Sequence, residues 1–241
     1  VGKIPGGFTK REGKPADKAI LTSRAIDRPL RPLFPKDFRN DTCVVATVLS
    51  VDSDNSPEVC AMIGASAALS ISDIPFGGPT AAVAVGYVDD QIVINPTLAQ
   101  REKSRLTLTV AGTLEKITMI EAGADEIPND TMLEAIKTAH EEIKKICNFI
   151  SDIKAEIGKP KFEYKSFATD PEVYNEIVAN FKDRMYQDVQ ATDKTVRDAN
   201  IEKITEDITA YFVEKYGEEA AEEKKTDIAD SVHDLEKACV R

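Results

Sequence analysis

In "RLTLTVAG" and "TLEKITMIEAG" apolar side chains alternate with polar ones, and from residue 128 onward they recur at every third or fourth position. Period two belongs to strands with a covered face and period 3.6 to amphipathic helices. The chain must therefore build a sheet first and a purely helical part afterwards. "TAAVAVGYV" and "QIVIN" read as two strands joined through a turn at Asp89 and Asp90, and "RLTLTVAG" and "TLEKITMIEAG" read as two more. "PNDTMLEAIKTAHEEIKKICNFISDIKAEIG", residues 128–158, carries Met132, Ile136, Ile143, Ile146, Ile150, Ile153 and Ile157 at helical spacing, and Gly158 with Pro160 stops it. Upstream, "TCVVATVLSV", residues 42–51, is β-branched and predicts a buried strand. "SPEVCAMIGASAALSI", residues 56–71, predicts a small-residue helix with Ser56 as N-cap and Pro57 at its first position.

At "KPKFEYKSFATDP" the character changes, and three charged amphipathic helices follow, over residues 172–190, 194–216 and 218–240. The reading is an α+β region over residues 1–160, a linker at 161–171 and an all-helical domain at 172–241. With 42% hydrophobic residues and no apolar run near the roughly 20 needed for a bilayer span, no membrane association is expected. Cys43, Cys60, Cys147 and Cys239 are scattered without a CxxC, which fits reduced thiols in the cytoplasm. A chain opening at Val1 on a Gly-rich loop reads as a fragment.

The net charge of −11 is unevenly spread. Residues 1–40 hold ten Lys or Arg against four Asp or Glu, net +6, which leaves −17 on the other 201 residues. A gathered positive surface can attract a polyanion whatever the total, because the local field decides encounter. Asp17 is placed to cap a helix over Lys18–Arg28 that Pro29 and Pro32 end, and on it Arg24 and Arg28 share a face, with Arg31 just beyond. Guanidinium forks suit phosphate, although pairing with Asp27 or Asp37 would account for the same residues. The loop before it adds Lys10, Arg11 and Lys14 beside Phe8, an aromatic among cations of the sort single-stranded nucleic acid favours. A solvated basic loop has the same composition. Two histidines, His140 and His233, are too few for a His-centred triad or multi-His metal site, and the Asp52/Asp54 and Asp89/Asp90 pairs are explained by turns. No metal or catalytic residue is assigned within the chain. "GGPTAAVAVG" lacks the spacing of a dinucleotide loop.

Together, "GKIPGGFTKREGKP", "LTSRAIDRPLRPLFP", "VVATVLSVD", "AMIGASAALSISDIPFGGP" and "VAGT" resemble the first RNase PH-like core of the bacterial polynucleotide phosphorylases, and the likeness continues through "GKPKFEY" into their helical domain. The resemblance implies a mixed sheet with packed helices, of the ribosomal protein S5 domain 2-like kind, without its first strands. It further implies 3′-to-5′ RNA degradation by phosphorolysis, with inorganic phosphate as co-substrate and Mg2+ assisting in the full-length enzyme. The implied partners are single-stranded RNA, two further copies in a homotrimeric ring and an RNA-degradation complex, with KH and S1 domains following a second core. The family's pore loop falls on Phe8, Thr9, Lys10 and Arg11, with Thr9 in place of a second aromatic, and Arg24, Arg28 and Arg31 are implied to line the RNA path. Where the family's active second core has Asp-x-Lys before Val-Ala-Gly-Thr, this chain has Thr107 and Thr109. A threonine hydroxyl supplies neither a carboxylate for magnesium nor a cation. The resemblance thus implies a core that guides RNA and supports assembly, with catalysis elsewhere. The alternatives are a binding and assembly module alone, a degenerate paralogue, or a single-core RNase PH.

Overall fold

Four antiparallel strands form in the computed structural model, which describes residues 15–241: β1 (Ala81–Val88), β2 (Gln91–Ile94), β3 (Leu106–Gly112) and β4 (Ile117–Ala124), in the order β2-β1-β3-β4. Asp89 and Asp90 both adopt left-handed φ, 49° and 60°, and close the β1–β2 hairpin as the sequence predicts. In the β1–β3 register, Val83 opposes Val110 and Val85 opposes Leu108 on one face, while Ala82 opposes Ala111 on the other. Both faces are covered.

Helix α4 (Asn129–Ile157) lies on the first face, where Ala135, Ala139, Ile143 and Cys147 pack with Val83, Val85, Leu106, Leu108 and Val110. Alanines at 135 and 139 bring the helix close to the strands. Each fully buried Val, Leu or Ile contributes about 1.5–3 kcal/mol relative to exposure. Burial pushes the Cys147 thiol up to about 11, so it serves as a packing group. The second face is covered by α1 (Asp17–Leu30) and α2 (Pro57–Ile71), with Met62, Ala82, Ala111 and Met119 buried and Ala25 and Ile26 packed against them. Ser66 Oγ accepts the Thr80 N–H at 2.9 Å and Thr80 Oγ1 donates to the Gly112 carbonyl at 2.8 Å, tying α2 to the start of β1 and the end of β3. At Gly112 a Cβ would meet the Lys116 carbonyl oxygen at 2.7 Å, so the glycine of Val-Ala-Gly-Thr is demanded by close backbone approach.

Four details of the sequence reading are corrected. Residues 42–51 form no strand: among the described residues no ladder reaches them, and Val45 and Leu49 stand 80% and 94% exposed. β-branched composition favours a pleated surface only where a neighbouring strand completes the hydrogen bonds, and none of the four described strands borders this segment. Pro29 does not end α1, which runs to Leu30 and on into a 3-10 turn (Arg31–Leu33), because its fixed φ is itself helical. Asp17 is the first helical residue rather than the cap, a position held by Ala16. Ser56 does hold the N-cap position of α2, with its hydroxyl donating to Glu58. The last predicted helix is two, α7 (Glu218–Glu223) and α8 (Lys225–Val240), divided at Lys224, whose ammonium reaches Asp170 at 2.8 Å. The structure adds a short helix α3 (Leu98–Lys103), opened by a Thr97/Gln100 capping box.

The chain divides into two compact units, residues 1–164 and 165–241. Residues 159–164 belong to the first. Lys161 Nζ donates to the carbonyls of Leu69, Ser70 and Ser72 at 3.0, 3.1 and 2.6 Å, satisfying acceptors that the end of α2 leaves free. Lys159 and Phe162 add backbone bonds to Ile71 and Asp73, and Phe162 and Tyr164 close on Phe38.

The second unit consists of α5 (Pro171–Val189), α6 (Lys194–Tyr216), α7 and α8 around Val173, Ile177, Met185, Ile204, Ile208, Phe212, Ile228, Val232 and Leu235. Asp170 and Asp193 cap α5 and α6 through their side chains, and Gly217, at φ 85°, makes the break after α6. Glu176 accepts from Tyr211 and Tyr216, each at 2.8 Å, and from Lys215 Nζ. Burial pushes the Glu176 carboxyl up, but those bonds outweigh it and hold it below the ordinary 4.5. A depressed carboxylate adds stability above its unfolded pKa and loses it as pH falls through the folded one. Glu176→Gln should therefore cost about 1–2 kcal/mol at pH 7. The deficit should shrink as pH falls below about 4.5, where the carboxylate of the unfolded chain protonates before the native one, and vanish once the native carboxylate protonates too, in denaturant titrations of the full chain across that range.

Candidate nucleic-acid interface

At 100° per residue, Ile26 and Leu30 project from α1 opposite the side that carries Arg24, Arg28 and Arg31. Burying Ile26 against Met62 and Met119, and Leu30 against Leu69 and Phe76, therefore turns the three arginines outward. All three are exposed. They are not equivalent. Arg31 is committed to Asp27, with Nε and Nη2 donating to the carboxylate at 2.8–2.9 Å. The pair is one of those the sequence allowed. Arg24 and Arg28 make no side-chain hydrogen bond or ion pair among the described residues. The other acid considered, Asp37, accepts from Tyr164 at 2.9 Å.

Arg24 and Arg31 line a cleft of roughly 1430 Å³ between α1, the N-terminal part of α2 and residues 34–48; Arg28 lies outside its lining. Two of the cleft's positive charges are neutralised, Arg31 by Asp27 and Lys18 by Glu58 at 3.4 Å. Lys36 and Arg39 also line it. The sequence reading counted both in the basic head but did not single them out, although "PKDFRN" follows the arginine segment directly. Phe8, Lys10 and Arg11 lie outside the described residues.

On β3, Thr107 is exposed and Thr109 half-buried, and in the register they oppose Gly123 and Glu121 of β4. Two neutral hydroxyls with a single carboxylate across the strand do not make a magnesium site. Among the described residues no three His, Cys, Asp or Glu side chains gather for a metal. His140 is engaged structurally, its Nε2 3.0 Å from the Thr113 carbonyl in the turn after β3.

Comparison with known proteins identifies this architecture. Residues 2–75 match the family model of domain 1 of the 3′ exoribonuclease family and residues 78–142 match its domain 2. Residues 172–241 match the model described as polyribonucleotide nucleotidyltransferase, RNA binding domain. Polyribonucleotide nucleotidyltransferases of Ruminiclostridium cellulolyticum and Caldicellulosiruptor saccharolyticus are 57% and 55% identical over the whole of this chain. The fold and the paired domain matches are those of a 3′ exoribonuclease family core. With the helical segment in sequence behind it, the chain belongs to the polyribonucleotide nucleotidyltransferase family. It spans 34% of the length of each of these two relatives. The solved structure of rice Rrp46 aligns only loosely, with a TM-score of 0.47 and 14% identity over 58% of this chain and 68% of that one.

The Arg31–Asp27 pair is exposed, 77% and 49% at its side chains, so solvent screening leaves it little net worth. Arg31→Ala and Asp27→Ala should each change the unfolding free energy by no more than about 0.5 kcal/mol in urea titrations, since a surface position away from core or caps rarely costs more.

Proposed function

We propose that this chain is the RNA-guiding segment of a polyribonucleotide nucleotidyltransferase that shortens RNA from its 3′ end by phosphorolysis. In that reaction an oxygen of inorganic phosphate bonds to the phosphorus of the terminal linkage. The bond from that phosphorus to the 3′ oxygen of the preceding nucleotide breaks, and a nucleoside diphosphate leaves. The observation that carries the reading is the pair of guanidiniums, Arg24 and Arg28, exposed on α1 and without an ion pair among the described residues, in a core with this family match. Arginine forks form charge-assisted, bidentate bonds to phosphate oxygens. Phe8, Lys10 and Arg11 extend the contact as the pore loop, with Arg31 contributing when it exchanges Asp27 for RNA.

The helical segment over residues 172–241 holds ten Lys or Arg against eighteen Asp or Glu, net −8. Phosphate contact is accordingly concentrated in the basic head, because an acidic surface repels the backbone. With Thr107 and Thr109 on β3, the chemistry and the Mg2+ that assists it belong to a second core outside this chain. The working assembly is a cytoplasmic homotrimeric ring able to join an RNA-degradation complex, with residues 1–160 as its first core, 161–171 as linker and 172–241 as its helical domain.

In the full-length protein, phosphate should drive release of nucleoside diphosphates from poly(A). An intact trimer that releases none would overturn the assignment in favour of a binding and assembly module. Lys10→Ala with Arg11→Ala should weaken binding to single-stranded RNA and flatten its salt dependence, by about 0.7 in log–log slope for each phosphate that the variant no longer neutralises. Far-UV circular dichroism of that variant should be unchanged.

A further inference from the structure

Of the five cations lining the α1 cleft, Lys18 and Arg31 are spent on Glu58 and Asp27. The remaining three are Arg24, Lys36 and Arg39, and among the described residues none of them has a carboxylate within ion-pair distance. One further acid, Asp41, lines the cleft. The surplus is positive.

Lys36 and Arg39 are held on a braced turn. The Phe38 N–H bonds the Pro35 carbonyl at 3.1 Å, and Arg39 Nη1 donates to the Lys36 carbonyl at 2.7 Å. Tyr164 donates to Asp37 between them, and the Phe38 ring packs edge-on against Tyr164 with centroids 5.0 Å apart. Phe34 and Phe76 continue the aromatic cluster behind it at 5.3 Å. This bracing spans 127 residues of sequence, from Asp37 to Tyr164. A fixed turn gives up little conformational freedom when its cations meet a ligand.

We infer that Lys36 and Arg39, with Arg24, form a second line of phosphate contacts along the cleft wall, extending the RNA path beyond the arginines of α1. The inference rests on the RNA-guiding reading of this core and adds residues to it. The partner is the phosphodiester backbone of single-stranded RNA: cations spread over α1 and the following turn suit a chain of charges better than one small anion. Phe34 and Phe38 line the same cleft.

The test uses the full-length protein with a fluorescent oligo(A) and a salt titration. Lys36→Ala/Arg39→Ala should bind about tenfold more weakly at 0.1 M salt, with a log–log slope shallower by about 1.4. Lys36→Arg/Arg39→Lys should retain wild-type binding. Lys36→Ala alone removes a side chain that has no hydrogen bond or ion pair among the described residues, so it should lower the slope by about 0.7 without touching the fold. In turnover assays the double alanine variant should raise KM for RNA and leave KM for phosphate unchanged. A shift in the phosphate KM instead would make the cleft a free-phosphate site and overturn the inference. If Arg24→Ala/Arg28→Ala flattens the slope while Lys36→Ala/Arg39→Ala does not, the second line of contacts is wrong and the arginine path stands. If neither variant moves it, the RNA-guiding reading of this core falls with it.

Discussion

Strand β1 is covered from both sides, and the rest of the first unit is arranged around that burial. Ala82 and Val83 are adjacent, point to opposite faces and are both fully buried, the first beneath α1 and α2 and the second beneath α4. A strand in this position can have no polar residue on either face without an internal partner. Thr80, at its entrance, meets that demand through Ser66 and Gly112. Once α1 is drawn onto the sheet by Ala25 and Ile26, the helix cannot rotate. Its arginine side is then turned away from the core by geometry alone.

That fixed orientation separates two roles for positive charge. Arg31 and Lys18 answer carboxylates of their own surroundings, whereas Arg24, Arg28, Lys36 and Arg39 meet none within ion-pair distance among the described residues. In the second unit cations are used internally. Lys215 bonds Glu176, Lys224 bonds Asp170 and Arg184 bridges to Asp207 at 2.7 Å, so its helices are laced together by their own charges.

Much of this was legible without coordinates. The Asp89–Asp90 turn, the long helix after Pro128 and the two amphipathic helices that follow Pro171 and Asp193 each follow from local pattern, because hydrophobic period and turn chemistry act over a few residues. "RPLRPLFP" and "IGASAALSISDIPFGGP" also carried the family. Residues 42–51 were not legible, since the same β-branched run is a strand only when another strand borders it. Lys161 was equally hidden: nothing in "GKPKFEY" announces that its lysine will end on carbonyls about ninety residues earlier in the chain.

The amino-acid order by itself determined the division into a sheet-bearing and a helical part, the placement of positive charge in the first forty residues and the presence of Thr107 and Thr109 just before Val-Ala-Gly-Thr. These are properties of composition and period, and they need no partner at a distance. Only the tertiary structure decided which cations remain available. Arg31 is claimed by Asp27 one turn away, and Lys36 and Arg39 reach the same cleft as Arg24 because a turn braced by Tyr164 brings them there. Availability of a charge depends on what stands within a few ångströms of it, and that is set by packing between segments far apart in the chain.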